Sequence, residues 1–455
     1  MGVAPPPSVA SGVIDRVRSD MRSQRAVRGA WPSGELGFSI RRTREFEREP
    51  LQLLLRCHER FGPVFTIRLL YAPIVFALGP EANHYITVSH ASNFRWRDGG
   101  MGDLIPLLGD GLLTTDGDYH RRARHIMLPA FHREQLSAST SIMAGEAERA
   151  LAGWRRGDRV DLYSWTRRLA LRVAMRALFG FDPDRSTRDG EMAAVFEEAL
   201  GFWGMDYVVQ MLRGPGSPWR AMTRARAQLD GVIFAEIARR RASGERGSDI
   251  LSLLLDAEDE DGSGLSDQEL RDQVMTLLFA GHDTTTSTVT FLFFELARNP
   301  DEVEPLVSGE QAAAALDMAI DETLRMYPPA WIGPRRSVEA FELCGVRVPA
   351  GVNVNYCSWA SHHLADVFPE PWRFRPSRFA PEAKTALPKG AYVPFGGGSR
   401  TCIGMRFGQL EVKAIANSIL NRFRLELAEP GREVSIRQMP TLSPRGGMPM
   451  IVREA

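Results

Sequence analysis

Lysine is nearly absent from this sequence, and cysteine is scarce. Only three of the 56 basic residues are lysines, so arginine carries almost all of the positive charge. The 56 acidic residues balance them, and the formal net charge is zero. A neutral protein lacks the bulk attraction for nucleic acid or an anionic membrane that a basic protein has. We therefore expect neither as a partner.

The four cysteines form no C-x-x-C pair, which argues against a disulfide framework or a zinc site. No apolar stretch approaches the roughly 20 residues that a membrane span requires. The N-terminus also lacks the apolar segment of a signal peptide. These absences predict a cytoplasmic protein with no membrane anchor.

The composition that remains is that of a globular protein, with 44% hydrophobic and 25% charged residues. No repeat or linker interrupts the chain, which predicts one large domain over residues 31–455 after a disordered tail over residues 1–30. Two short strand pairs are predicted, Val64–Leu69 with 74–78 and 341–348 with 352–356. Most of the rest has helical periodicity, so the predicted fold class is mainly α with small β-sheets.

The clearest helical signal begins at Ser266, which forms a capping-box pattern with Glu269. The pattern continues to about Arg298 and predicts a helix of roughly 48 Å, long enough to cross a domain. Its middle is apolar on most faces, which indicates a buried central helix. Two further helices are predicted over 191–212 and 218–243, and the Gly- and Pro-rich loop 214–218 between them is a candidate lid.

The long helix contains the segment Ala280-Gly281-His282-Asp283-Thr284-Thr285. Gly281 costs roughly 1 kcal/mol relative to alanine in a helix interior, so a compensating role is expected. Thr284 can bond back to the carbonyl of Ala280 and open a groove. Asp283 supplies an ionisable group for proton transfer. The alternative is an Asp-Thr pair without chemistry.

Cys402 lies in the glycine-rich stretch FGGGSRTCIG. The glycines let backbone N–H groups point at the sulfur, and the helix predicted from Ile403 adds the positive end of its dipole. Both effects lower the thiol pKa and favour the thiolate, the form that binds metals. A thiolate is one of the known axial ligands of haem iron. The alternative is a buried structural cysteine.

The pattern Phe-x-x-Gly-x-Arg-x-Cys-x-Gly, from Phe395 through Cys402, resembles the haem-binding signature of the cytochrome P-450 superfamily in its soluble bacterial form. This resemblance implies that Cys402 ligates the iron of haem b (iron protoporphyrin IX) as a thiolate. It also implies that Asp283 and Thr284 are the catalytic acid–alcohol pair that carries protons to bound oxygen, and that Ala280 lies against the haem.

The resemblance extends to side chains that would hold the haem propionates. His120 and Arg124 lie at i and i+4 on one helical face and match the His-x-x-x-Arg form of the family. The resemblance implies that Arg335 and Arg400 are the other donors, with the neighbouring Arg336 as the alternative to Arg335. A solvated basic helix is the alternative for the first two residues.

Three more residues match a structural feature of the family. Glu322 and Arg325 lie at i and i+3, which alone is a commonplace helical pair. In relatives these two positions and that of Arg378 form a buried charge network near the cysteine loop. The resemblance therefore implies a structural role for all three.

The implied activity is insertion of one oxygen atom from O2 into a hydrophobic small molecule, by hydroxylation or epoxidation. The chain carries no flavin or nicotinamide fingerprint, so electrons would come from a ferredoxin or flavodoxin with its NAD(P)H-dependent reductase. This partner would dock on a basic face formed by Arg121, Arg122, Arg406 and Lys413, and we expect the enzyme to be a monomer. Two alternatives are a haem-thiolate enzyme that rearranges its substrate without external electrons, and a non-catalytic haem-thiolate sensor or carrier.

The substrate pocket is expected to lie between several segments that are distant in sequence. These segments are mainly apolar, which favours a hydrophobic substrate. They are residues 94–113, 201–218, 273–284, 330–332 and 441–442.

Overall fold

The computed structural model describes residues 21–455 apart from positions 23, 26, 28, 183, 185, 186, 206, 211 and 432. Residues 1–20, which make up most of the tail predicted over 1–30, lie outside the described residues. The tail and its boundary with the domain therefore stay a prediction.

Helices are the main secondary structure of the described chain, as the sequence predicted. Several begin with proline in the first turn, where the missing N–H removes no helical hydrogen bond. The helices are α1 (Ile40–Arg48), α2 (Pro50–Phe61), α3 (Pro80–His84), α4 (Ile105–Leu108), α5 (Gly117–Met127), α6 (Leu136–Leu151), α7 (Leu162–Phe179), α8 (Thr187–Gly201), α9 (Tyr207–Gln210), α10 (Pro218–Ser243), α11 (Ile250–Asp256), α12 (Asp267–Arg298), α13 (Glu304–Val307), α14 (Ala312–Met326), α15 (Ser358–Ser361), α16 (Pro381–Ala386) and α17 (Met405–Leu420).

The strands are short and form small sheets. They are β1 (Gly34–Glu35), β2 (Val64–Leu69), β3 (Ala72–Ala77), β4 (Phe94–Arg95), β5 (Arg159–Asp161), β6 (Gly333–Ser337), β7 (Phe341–Leu343), β8 (Val346–Val348), β9 (Asn353–Tyr356), β10 (Phe423–Leu427), β11 (Ile436–Arg437), β12 (Ser443–Pro444) and β13 (Pro449–Glu454). The largest sheet has the order β1-β2-β3-β9-β6-β4, and a three-stranded sheet has the order β10-β13-β5.

One predicted strand pair is confirmed and the other is wrong. β2 and β3 form the expected antiparallel hairpin, with Phe65 opposite Phe76. Residues 341–348 do not pair with 352–356. They fold back on themselves as β7 and β8, because Cys344 and Gly345 adopt φ values of 49° and 72° and make a tight turn. β9 instead joins the large sheet, parallel to β3 and antiparallel to β6.

The predicted central helix is confirmed as α12. The Ser266 side chain accepts a hydrogen bond from the Glu269 N–H, and the Glu269 side chain accepts from the Ser266 N–H, which completes the capping box. The helix packs against α7, α10, α14 and α17. It is buried along most of its length, so it positions any group that lies against its middle.

The helix predicted over 191–212 is interrupted. α8 ends at Gly201, and the 3-10 turn Phe202–Gly204 follows. Two glycines weaken the helix here, and the rings of Phe202 and Trp203 pack edge to face at 5.1 Å. The second predicted helix is confirmed as α10, which begins after Ser217 caps it through the N–H of Arg220. The lid role of loop 214–218 stays a prediction.

The described part of the chain contains no helix that is both long enough and apolar enough to cross a bilayer.

Candidate functional site

The loop before α17 holds Cys402 in a constrained backbone. Gly396 and Gly398 have φ values of 70° and 61°, in the left-handed region that favours glycine. A Cβ at Gly398 would lie 2.4 Å from the carbonyl oxygen of Thr87, so the 85–89 segment packs directly on this loop. The N–H of Cys402 donates to the carbonyl of Phe395 at 2.9 Å and closes the loop.

The electrostatics of Cys402 differ from the prediction. α17 begins at Met405, two residues later than predicted, and Gly404 is its N-cap residue. Burial raises the pKa of the Cys402 thiol and outweighs the Gly404 N–H and the charge of Arg124, which lower it. The predicted net lowering is therefore wrong for the protein alone. A metal ion bound to the sulfur would restore the thiolate, because a coordinating thiol loses its proton.

Two accessible places lie within otherwise buried surroundings. The Cys402 side chain is accessible to solvent. Nevertheless, the protein that surrounds it raises the pKa of its thiol by desolvation. In α12, all residues from Leu270 to Leu296 are buried except four near the middle, which are Phe279, Ala280, Gly281 and Thr284. Both observations indicate recesses inside the protein rather than its outer surface.

The predicted back-bond of Thr284 is confirmed. Its hydroxyl donates to the carbonyl of Ala280 at 2.7 Å. One turn later, Thr288 donates to the carbonyl of Thr284 at 2.9 Å. Such bonds can loosen a helical ladder, but α12 is continuous from Asp267 to Arg298, so the groove predicted at Thr284 stays a prediction.

Asp283 lies on the same turn but points to other groups. Its side chain is only 5% exposed, and Oδ1 lies 3.2 Å from Nε of Arg167 on α7. The hydroxyl of Thr441 lies 3.5 Å from the carbonyl oxygen of Asp283, so the predicted pocket loop around 441–442 does reach α12. The predicted proton-transfer acid is therefore held in a buried ion pair.

His120 and Arg124 both lie on α5, as predicted, near Cys402. Arg124 is half-buried and has no ion-pair partner among the residues that the structure describes. Burial lowers the pKa of Arg124, and the charge of Cys402 opposes this effect. Burial lowers the pKa of His120 to about 3, assisted by the charges of Arg400 and Arg124. His120 is therefore a neutral hydrogen-bond donor here.

Arg400 and Arg335 approach the same aromatic ring. Their guanidinium carbons lie 4.9 and 3.7 Å from the ring centroid of Trp96, a cation–π arrangement. Arg400 donates to Asp116 at 2.7 Å and to the carbonyl of Thr115 at 2.8 Å. Burial lowers the pKa of Arg400 to about 10 despite Asp116, with the charges of Arg335 and Arg124 adding to the effect. This corner has more cations than carboxylates.

The choice between Arg335 and Arg336 follows from the strand. Residues of β6 alternate between buried and half-buried, because neighbouring side chains of a strand point to opposite faces. Arg335 is 3% exposed and faces the inside, whereas Arg336 lies on the other face. This placement favours Arg335 as the donor, although its role stays a prediction.

The charge network predicted around Glu322 is present and reaches the cysteine loop. Glu322 accepts from Arg325 at 2.7 Å and from Arg378 at 3.2 Å, and the first two side chains are fully buried. Arg325 also donates to the carbonyl of His362, and the ring of His362 accepts from the N–H of Val393. Gly396, in the cysteine loop, bonds to the carbonyl of Val393.

Sequence reasoning missed two ionisable groups next to α12, the half-buried Arg167 and the buried Glu411. Arg167 lies on a helix rich in arginine, so nothing in the pattern distinguished it. Glu411 occupies a buried position of α17 and accepts from the Thr285 hydroxyl at 2.8 Å. Burial raises the pKa of Glu411 to about 8, although the Thr285 bond opposes it. A carboxylate on the apolar face of a helix was the signal that could have revealed it.

The donor set of this region fits a metal that is held mainly by an anionic non-protein group. No group of three or more His, Cys, Asp or Glu able to hold a metal ion occurs within the described ranges. A metal bound by Cys402 would therefore take most of its ligands from a non-protein group. The unpaired Arg124 and the cations around Asp116 suit the carboxylates of such a group.

Comparison with known proteins decides the family. The profile described as "Cytochrome P450" matches residues 36–447. The chain belongs to the cytochrome P450 family. This P450 therefore has the mainly helical fold of a family that generally binds haem through a thiolate.

Two relatives come from Streptomyces melanosporofaciens. The cyclooctat-9-en-7-ol 5-monooxygenase is 34% identical over 401 residues, which cover 83% of this chain and 85% of the relative. Cyclooctatin synthase is 34% identical over 424 residues, which cover 88% and 90%. Among solved structures, the cyanobacterial CYP120A1 bound to retinoic acid has a TM-score of 0.81 at 27% identity, covering 94% of this P450 and all of that chain.

Proposed function

We propose that this P450 is a haem-thiolate monooxygenase that inserts one oxygen atom from O2 into a C–H or C=C bond of a hydrophobic small molecule. The observation that carries the proposal is the accessible sulfur of Cys402 within buried surroundings, together with the accessible stripe around Thr284 on α12. A relative whose printed name is a monooxygenase supports it.

In this proposal Cys402 ligates the iron of haem b, and the bound haem supplies the oxygen-activating chemistry. His120, Arg124, Arg335 and Arg400 bind the propionates. The three arginines supply positive charge, and the neutral His120 donates a hydrogen bond. The carbonyl of Phe395 and the close contact of Gly398 with Thr87 fix the loop, so that the sulfur is held in one orientation. Ala280 lets the ring approach the backbone of α12.

Thr284 and Asp283 have different roles in proton transfer. The hydroxyl of Thr284, which now donates to the carbonyl of Ala280, can turn to hold a proton at the accessible face of α12. Asp283 is buried behind it and is the nearest acid along the chain. General acid–base assistance of this kind contributes roughly 10²–10⁴-fold to a rate.

The substrate class follows from the relatives and the apolar segments. By their printed names, one relative acts on cyclooctat-9-en-7-ol and CYP120A1 binds retinoic acid. Both ligands are largely hydrocarbon with one oxygen function and contain C=C bonds. We infer a similar substrate here, an unsaturated hydrocarbon skeleton with an alcohol or acid group.

The electron donor is proposed to be a ferredoxin or flavodoxin with its reductase. Of the four basic residues assigned to the docking face, Arg121, Arg122 and Lys413 have carboxylate neighbours. Arg406 is exposed and has no carboxylate neighbour among the residues described. Because paired charges attract a partner less strongly, we propose Arg406 as the main contributor.

The test is turnover by the purified holoenzyme with a surrogate ferredoxin, its reductase and NADPH. Farnesol, geranylgeraniol and retinoic acid are first tested for a haem absorbance shift and then for oxygenated product. Product that depends on NADPH supports the proposal. Product without NADPH would favour the electron-independent rearrangement enzyme, and binding without any product would favour the sensor or carrier.

Thr284→Ala sharpens this test. We expect the variant to bind haem but to lose product per NADPH by roughly 10²-fold, while hydrogen peroxide accumulates. Thr288→Ala is the matched control, because it removes the same type of back-bond one turn away. Equal coupling in both variants would contradict the role of Thr284.

A further inference from the structure

A cleft of ≈ 460 Å³ lies between α7 and α8. This volume is typical of sites that bind small molecules. On the α7 side the cleft is lined from Tyr163 to Arg172, a length of roughly 14 Å at the helical rise per residue. No segment assigned above to the substrate pocket lines it. The cleft is therefore distinct from the predicted substrate pocket.

The walls of this cleft combine apolar surface with positive charge. Leu171 on α7 and the neighbours Ala193 and Ala194 on α8 supply the apolar surface. Three arginines of α7 also line the cleft, together with one acid, Glu197 of α8. A ligand that suits such walls has both a hydrocarbon part and a negative charge.

Two of the three arginines already have carboxylate partners. Nη2 of Arg167 lies 2.8 Å from Oε2 of Glu197. Nε of Arg172 lies 3.0 Å from Oε2 of Glu146 on α6. Arg168 is exposed and has no carboxylate partner in the described part of the chain. The only acid that lines the cleft is thus paired with Arg167, and the charge of Arg168 is uncompensated.

Arg437 of β11 adds a second uncompensated charge at the Tyr163 end of the cleft. Its guanidinium is half-buried, and its Nη2 lies 3.1 Å from the hydroxyl oxygen of Tyr163. Its Nε lies 3.2 Å from the hydroxyl oxygen of Ser443. Both partners are neutral, and Arg437 has no carboxylate neighbour among the residues that the structure describes. A partly desolvated cation without a counter-ion is unfavourable, so an anion from outside the chain suits this place.

Tyr163 strengthens the case for an anion. Its hydroxyl oxygen accepts from Arg437, which leaves the hydroxyl proton available for donation. The N–H groups of Arg437 and the O–H group of Tyr163 are then donors at one end of the cleft. The apolar residues lie further along α7 and α8, because Leu171 is two helical turns beyond Tyr163.

We propose that the α7–α8 cleft binds an amphipathic carboxylate of the fatty acid class. The carboxylate accepts from Arg437 and Tyr163, and the hydrocarbon chain extends along Leu171 and the two alanines. A carboxylate fits because the planar fork of arginine donates two parallel hydrogen bonds to it. Arg168 attracts the anion from solvent. The site is independent of the proposed function, since neither haem nor O2 takes part in it.

The test titrates dodecanoate into the purified holoenzyme saturated with clotrimazole, which ligates the haem iron and occupies the substrate pocket. Calorimetry should show a binding event for dodecanoate in this complex. Dodecanol has the same chain without the charge, and it should bind at least about tenfold more weakly, because it loses the charge-assisted hydrogen bonds. Absence of dodecanoate binding, or equal affinity for dodecanol, would overturn the proposal.

Two variants locate the bound dodecanoate. Arg437→Gln removes the charge at the carboxylate and should weaken binding by about tenfold. Ala194→Trp fills the cleft from an exposed position of α8 and should weaken binding by a similar factor, so it decides the question even if Arg437→Gln does not fold. Arg133→Gln is the control, because Arg133 is exposed and lies outside the cleft, and its affinity should match that of wild type. Unchanged affinity in either folded cleft variant would overturn the proposal and leave the monooxygenase unaffected.

Discussion

Arg124, on the cysteine side of the site, has no carboxylate within ion-pair distance in the described part of the chain, whereas Asp283, on the α12 side, is surrounded by Arg167, His282 and, beyond them, Glu197. Both groups are shielded from solvent, and an uncompensated charge in such a place is costly. This difference supports the proposal that the cysteine side accepts the negative charge of a bound group. On the α12 side, the carboxylate of Asp283 already has charged and polar partners within the protein. We propose that this side transfers protons.

Removing the sulfur of Cys402 should have the largest effect on the cysteine side of the site. Cys402→Ser should abolish the long-wavelength carbon monoxide band of the reduced protein, because that band depends on thiolate ligation. Cys344→Ser, a half-buried cysteine outside the site, is the control and should keep the band. An unchanged spectrum in Cys402→Ser would contradict the assignment of the ligand.

Disrupting the network beneath the cysteine loop should act on stability. Glu322→Gln leaves the buried Arg325 and Arg378 without a carboxylate. We expect the free energy of unfolding to fall by about 3–5 kcal/mol, the usual result of breaking a buried ion pair. Chemical denaturation measures it, with the exposed Glu382→Gln as the control. A loss of unfolding free energy no larger than that of the control would contradict the expected contribution of these ion pairs to stability.

The loop backbone itself can be tested without touching any charge. Gly398→Ala forces a side chain into φ of 61° and towards the Thr87 carbonyl, and should cost about 1–3 kcal/mol and weaken haem retention. Gly408→Ala, inside α17 with nothing within 4 Å, should instead stabilise the protein by roughly 0.5–1 kcal/mol. Two variants with equal stability would show that the loop has no steric constraint.

Glu411 lies between the two sides, and its effect should depend on pH. Burial raises its pKa from the usual value near 4.5 to about 8, so between these pH values the folded state binds a proton that the unfolded state has released. Stability should therefore fall as pH rises from about 4.5 to 8, by up to about 1.4 kcal/mol per pH unit from this group. Thermal unfolding of Glu411→Gln should show a weaker fall with pH, and identical slopes would exclude the assignment.

The sequence predicted those features that depend on neighbouring residues. The capping box of Ser266, the β2–β3 hairpin and the back-bond of Thr284 all arise within a few residues, and each is confirmed. The pairing of 352–356 was predicted wrongly because its partners, β3 and β6, are not its neighbours in sequence. They come next to β9 only when the large sheet forms. The break after Gly201 was missed because ring packing and two glycines outweighed a continuing helical pattern.

By itself, the amino-acid order determined the cysteine loop, the long central helix and the motifs that place the chain in its family, because glycine conformation, capping and periodicity act locally. Only the tertiary structure decided that burial outweighs the loop in setting the thiol pKa of Cys402, and that Asp283 meets Arg167 and His282. The physical reason is that desolvation and charge pairing depend on which groups other segments bring near, and α7 and α8 approach α12 only in the folded protein.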